Sequence, residues 1–102
     1  MQAQDQSELW NKPAVAQLVQ VVTAIVDEQT MRRFLRDLLT EKEIKEMSAR
    51  LMAAKMLKEG ATYLEIVERT RLSSRTVARI SSWLQNGCKG YDAAIEILST
   101  NK

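Results

Sequence analysis

Between Thr62 and Leu84 the sequence TYLEIVERTRLSSRTVARISSWL carries two helical patterns separated by a break with room only for a tight turn. The first pattern opens at Thr62, whose hydroxyl is placed to accept from the amide of Glu65 while the Glu65 carboxylate reaches back, the reciprocal pairing of a capping box. Leu64, Ile66 and Val67 give this helix a partly inward side, and the apolar period stops near Thr70 and Arg71. Leu72 then plugs the turn. Ser73 is a good N-cap for a second helix, because its oxygen can satisfy one of the free amides of the first turn. Val77, Ile80 and Leu84 recur at spacings of three and four, which places them on one buried stripe. The stretch predicts a helix-turn-helix over residues 62–86, with its second helix from Ser73 to Gln85.

The outward side of that second helix is left with Ser74, Arg75, Ala78 and Arg79. Short hydroxyls at a helix start suit phosphates or base edges, arginines fork onto guanine, and a small alanine permits close approach. From Arg69 to Lys89 there are four arginines, one lysine and no carboxylate, so this stretch carries +5. The whole chain carries +2, which leaves −3 for the remainder. A basic concentration inside a nearly neutral chain is the electrostatic footprint of phosphate binding. Arg75 and Arg79 are therefore the expected base readers, with Thr62, Arg69, Arg71, Ser73 and Ser74 as expected phosphate contacts. The plainer alternative is an amphipathic helix pair with a solvated basic face.

At 102 residues, 45% of them hydrophobic, the chain suits one domain and is too apolar to be mainly a disordered tail. Few aromatics, a lone proline and apolar residues at helical spacing nearly throughout predict an all-α fold. No run approaches the roughly 20 apolar residues of a membrane span. The polar start MQAQDQSELW also lacks the pattern of a secretory signal, so a cytoplasmic protein without a membrane partner is expected. The single cysteine, Cys88, permits no internal disulfide and is read as a spectator; with no histidine present, a structural metal site is not expected and no cofactor is implied. The missing histidine removes the commonest general acid or base. Glu41, Glu43 and Glu46 have an ordinary role opposite a helix dipole, and no enzyme activity is expected.

Residues 1–12 read as a flexible N-terminus, 13–98 as a single domain and 99–102 as a tail. Within the domain, Pro13 opens a helix to about Glu28 whose stripe is Val15, Leu18, Val19, Val22, Ile25 and Val26. A second helix begins near Thr30, with Met31, Phe34, Leu35, Leu38 and Leu39 inward. Its outward Arg32, Arg33 and Arg36 either pair with Asp27, Glu28 and Asp37 or add phosphate contacts, pairing being favoured. Thr40 and Glu43 form another capping box before a long helix to about Glu59, stopped by Gly60. Its main stripe is Ile44, Met47, Leu51, Ala54 and Leu57, and Ala49, Met52, Ala53 and Met56 widen it beyond what one partner helix covers. Arg50 is a charge beside that band, either reaching water or lining a pocket. After the loop Asn86 to Gly90, a last helix starts at Tyr91 or Asp92.

Six helices of this size leave little apolar area for a self-sufficient core, although the stripes are strong. Sharing them across a two-fold axis resolves the conflict and predicts a homodimer. Two reading helices about 34 Å apart then meet successive major grooves, which predicts a palindromic operator on double-stranded DNA.

The run from Leu39 to Leu84, LTEKEIKEMSARLMAAKMLKEGATYLEIVERTRLSSRTVARISSWL, resembles the Trp repressor in order and spacing: a leucine-threonine opening to a long helix, Arg50, Gly60, then the motif. Over most of residues 13–98 the chain is similar to a shorter Trp-repressor-like group called the YerC/YecD type. The resemblance implies a six-helix, intertwined all-α homodimer whose fourth and fifth helices form the DNA-binding unit. In the Trp repressor two arginines sandwich the indole of the corepressor, and Arg50 and Arg79 stand where those two fall. The next position is glycine in the tryptophan-binding proteins and Ile80 here, a branched side chain expected to project toward the ligand space. The first motif helix is also one residue shorter, so tryptophan is not the expected effector. Three outcomes stay open at these arginines: a different small-molecule effector, a collapsed pocket, or Arg79 released to DNA, the last being simplest.

Two functions follow. One is a sequence-specific DNA-binding transcriptional regulator, a repressor in the simplest form, that inserts the Ser73 to Gln85 helix into the major groove. The other is a helical dimerisation or adaptor module that keeps the motif without specific DNA binding.

Overall fold

The computed structural model describes residues 7–100. Every regular element among them is a helix: α1 (Ser7–Trp10), α2 (Pro13–Ala24), α3 (Glu28–Leu38), α4 (Glu41–Lys58), α5 (Tyr63–Thr70), α6 (Ser74–Asn86) and α7 (Gly90–Thr100). Seven helices stand in place of the expected six because the polar start contains a single helical turn, α1, ahead of Pro13. The rest of the expected flexible start, residues 1–6, and the last two residues of the tail lie outside the described residues. By contact the chain divides into two units, one ending at Ile44 and one beginning at Lys45.

In the first unit, Pro13 sits in the first turn of α2, where its missing amide costs nothing. α2 stops at Ala24, short of the expected Glu28, because the next three residues turn to another task. Ile25 is extended (φ −74°, ψ 117°), and Asp27 takes the N-cap of α3. The Asp27 carboxylate accepts from the Thr30 amide at 2.8 Å and from the Thr30 hydroxyl, so α3 starts at Glu28 and not near Thr30. A local cap has displaced the continuation of the apolar period. Val26, expected on the buried stripe, is 95% exposed as a result. Of the three arginines of α3, only Arg32 pairs with a carboxylate, Glu28, at 2.6 Å. Arg33 donates instead to the Thr30 hydroxyl and Arg36 to the Leu39 carbonyl.

No residue of α2, α3 or α7 is buried. Leu18, Val19, Val21 and Val22 on α2 are all exposed despite their helical spacing. Such a stripe has no cover from the described residues of its own unit, and exposed apolar area on this scale marks an interaction surface.

α4 opens with the expected capping box: the Glu43 amide donates to the Thr40 hydroxyl at 3.1 Å and the Thr40 amide to the Glu43 carboxylate at 2.9 Å. It closes on Gly60, whose φ of 90° is left-handed. There the Gly60 amide donates to the Leu57 carbonyl and the Ala61 amide to the Met56 carbonyl, the paired bonds of a Schellman stop.

The second unit has a small core. Ala53 and Ala54 of α4, Ile66 of α5, and Val77 and Ile80 of α6 are buried together, ringed by partly buried Leu57, Leu72, Leu84 and Ile95. Adjacent alanines on α4 leave room for the β-branched side chains of α5 and α6, which fill the space at close approach. Of the expected main stripe of α4, Ala54 is buried and Ile44, Leu51 and Leu57 are half-buried, but Met47 is 52% exposed, while Ala53, placed beside the stripe, is fully buried. Leu64, expected to face partly inward, is 69% exposed. Lys58 pairs with Asp92 at 3.1 Å, linking the end of α4 to the first turn of α7. α7 runs through Ser99 to Thr100, residues expected in the tail, and the Thr100 hydroxyl donates back to the Glu96 carbonyl.

Candidate nucleic-acid interface

Both helices of the motif begin as their cap residues dictate. At α5 the Glu65 amide donates to the Thr62 hydroxyl at 3.2 Å, and the Thr62 amide donates to the Glu65 carboxylate at 2.8 Å. The bond from the Thr62 backbone, with a second from its hydroxyl, holds the Glu65 carboxyl below its ordinary value. A carboxylate whose folded pKa is depressed contributes stability above its unfolded value and loses that contribution as pH falls through the folded one. The stability advantage of the protein over Glu65→Ala is therefore expected at neutral pH and should vanish on acidification below the ordinary carboxylate range. Urea denaturation of both proteins across pH 3 to 7 checks this, and an advantage that persists at the acid end would exclude the carboxylate as its source.

At α6, Ser73 accepts from the Thr76 amide at 3.1 Å while its hydroxyl donates to that of Thr76 at 3.0 Å. Two of the three hydroxyls expected at phosphates, those of Thr62 and Ser73, are thus engaged in fixing helix ends. Ser74, the first residue of α6, is exposed, and its hydroxyl makes no hydrogen bond among the described residues. Thr70 organises the turn: its hydroxyl donates to the Ile66 carbonyl at 2.7 Å and accepts from the Leu72 amide at 3.2 Å. Sequence reasoning passed over Thr70 and Thr76, although a threonine at the last residue of a helix and another three residues past a serine cap are both capable of these bonds.

The turn passes through Arg71, which is left-handed (φ 65°, ψ 11°). A non-glycine residue there costs on the order of 1 kcal/mol, so the arginine side chain is retained at the expense of local strain. Arg71→Gly is expected to raise stability by about 0.5 to 1 kcal/mol while weakening binding to any duplex. Denaturation and duplex titration on the same variant test the pair of effects, and a loss of stability would refute the strain argument. Gly87, at the other end of α6, is required by space: a Cβ there would strike the Trp83 carbonyl and come within 2.9 Å of its indole.

The four arginines of the stretch are exposed, and among the described residues none of the Arg69, Arg71, Arg75 or Arg79 side chains makes an ion pair or hydrogen bond. Elsewhere several cations are matched, Arg32 to Glu28, Lys55 to Glu59 and Lys58 to Asp92 among them, and Arg33 and Arg36 bond to neutral oxygens. Unsatisfied guanidinium groups on one motif suit an external polyanion.

Arg50 belongs to a different setting, paired with Glu46 at 3.0 Å on the surface of α4. Two open hollows dent the second unit, one lined in part by Leu51, Met52, Met56 and Arg69, the other by Trp83, Cys88, Lys89 and Tyr91. Neither is lined by Arg50 or Arg79. Ile80, expected to project toward a ligand space, is only 3% exposed and belongs to the core with Val77 and Ile66. The stripe spacing that placed Ile80 with Val77 is the reading the packing follows.

The model of the Trp repressor protein family matches residues 14–99. YerC, an uncharacterized protein of Bacillus subtilis (strain 168), is 35% identical over 80 residues, covering 78% of this chain and 77% of that protein. Among solved structures, a TrpR-like protein from Eubacterium eligens ATCC 27750 superposes with a TM-score of 0.83 at 37% identity, covering 90% of this chain and 95% of its own. A proposed Trp repressor from Staphylococcus aureus gives a TM-score of 0.83 at 30% identity, covering 92% and 94%. An all-helical chain with a helix-turn-helix of this construction, matched by the family over nearly its whole described length, is a member of the Trp repressor family.

Proposed function

We propose that the protein is a sequence-specific DNA-binding transcriptional regulator, a repressor in its simplest action, working as a homodimer on a palindromic operator. The observation that carries this reading is the set of four exposed and unpaired arginines on a helix-turn-helix that contains no carboxylate from Arg69 to Lys89. α6 enters the major groove by its N-terminal end, so that Arg75 and Arg79 meet base edges. Arg69 and Arg71 lie before it and bind phosphates, and Ser74 stands at the helix start, where free amides and the dipole favour an anion. Thr62 and Ser73 serve the interface indirectly by fixing the two helix starts.

The homodimer is supported by the uncovered apolar stripe of α2 and by exposed Met47, Met52, Ile97 and Leu98. A two-fold axis would cover those faces and set two copies of α6 one DNA turn apart.

Selection of random duplex DNA by the purified protein at physiological salt, followed by sequencing of the retained fraction, tests the reading. A two-fold symmetric motif is the expected result. Absence of enrichment, with or without an added mixture of metabolites, would refute it in favour of a helical adaptor whose partner is a protein.

A further inference from the structure

We infer that each half-site is read through two guanines, one by Arg75 and one by Arg79, lying within about two base pairs of each other; this rests on the DNA-binding reading proposed above. Around α6 the exposed residues of the first three turns are Ser74, Arg75, Ala78, Arg79, Ser82 and Trp83, the last with an indole too apolar to select a base by paired bonds, while Val77 and Ile80 point into the core. Their chemistry is narrow. Paired readout of adenine needs asparagine or glutamine, and the amino group of cytosine is best met by a carboxylate. Gln85 and Asn86 occur only in the last turn of α6, and the helix holds no acid. Serine hydroxyls bond to any base edge, and the Ser73 and Thr76 hydroxyls are already bonded to one another. Discrimination therefore falls on two guanidinium forks, whose match in the major groove is the O6 and N7 pair of guanine.

Two further observations support the assignment. Arg75 and Arg79 are four residues apart on one helix, a like-charge spacing that weakens a helix, and neither side chain gains a partner within the described chain. Nothing internal accounts for the pair. Four residues at the helical rise span about 6 Å, against about 3.4 Å between successive base pairs. The two forks thus reach bases roughly two steps apart.

The test uses the selected duplex and replaces guanines one at a time, in one half-site, with 7-deazaguanine, which keeps Watson–Crick pairing and deletes only the N7 acceptor. Loss of one of two bonds to a fork should weaken binding about fivefold to tenfold at two positions no more than about two base pairs apart. Arg75→Ala should abolish the sensitivity at one position, and Arg79→Ala at the other. Both residues are exposed, and helical circular dichroism verifies that the variants fold. Specific binding with no sensitive guanine, or sensitivity that survives in both variants, overturns the guanine assignment while leaving the regulator reading in place. Failure to select any motif removes the regulator reading and this assignment together.

Discussion

Replacing Ile66 by alanine is expected to destabilise the protein by about 3 to 5 kcal/mol, the upper part of the range for buried branched residues. Ile66 is fully buried where α4, α5 and α6 meet, and the other fully buried residues of its cluster offer little that can collapse into the space it would leave. Ala53 and Ala54 carry only a methyl group with no rotamer to change, and Val77 is a stiff β-branched residue. The cavity would persist. Because domains of this kind hold only about 5 to 15 kcal/mol in total, much of the population would unfold near physiological temperature. Leu64, two residues away on the same helix and 69% exposed, provides the contrast. Leu64→Ala is expected to stay within about 0.5 kcal/mol. Both are read by urea denaturation at one fixed protein concentration, since association shifts apparent stability. Equal costs for the two would show that the buried cluster is not what holds the motif together.

What could be read from the chain alone was local. The Thr62 and Glu65 box, the Thr40 and Glu43 box, the Ser73 cap and the Gly60 stop each join residues within a few positions, and each was placed where the structure has it. Non-local choices were less legible. α4 is apolar on two sides, and only packing against α5 and α6 selects Ala53 over Met47 as the buried residue. The end of α2 is not legible because Ile25 and Val26 continue its apolar period, while the competing Asp27 cap is signalled by a single residue three positions before Thr30. The site divides in the same way. Absence of carboxylates from Arg69 to Lys89 could be counted in the sequence and already implied unmatched arginines. The strained backbone at Arg71 is a φ angle that no spacing reveals.

The division of labour among the four arginines makes the second large prediction. Arg75→Ala combined with Arg79→Ala removes both proposed readers from each protomer of the proposed dimer. At about 1 to 3 kcal/mol per reading contact, specific affinity should fall by at least roughly a hundredfold, while binding to random duplex changes far less. Arg69→Ala combined with Arg71→Ala removes the proposed phosphate contacts, which carry no sequence information, so specific and random duplexes should weaken by similar factors. Four phosphate contacts would be lost per dimer, and the slope of log affinity against log salt should become shallower by roughly 3 to 4. Neither double substitution touches the buried cluster, since all four side chains are exposed, so both proteins should keep the stability of the parent apart from the truncated left-handed arginine. Fluorescence anisotropy with one specific and one scrambled duplex, at several salt concentrations, separates the two pairs. If the first pair lowered both duplexes equally, Arg75 and Arg79 would be phosphate contacts, and sequence would have to be read through the shape of the DNA instead.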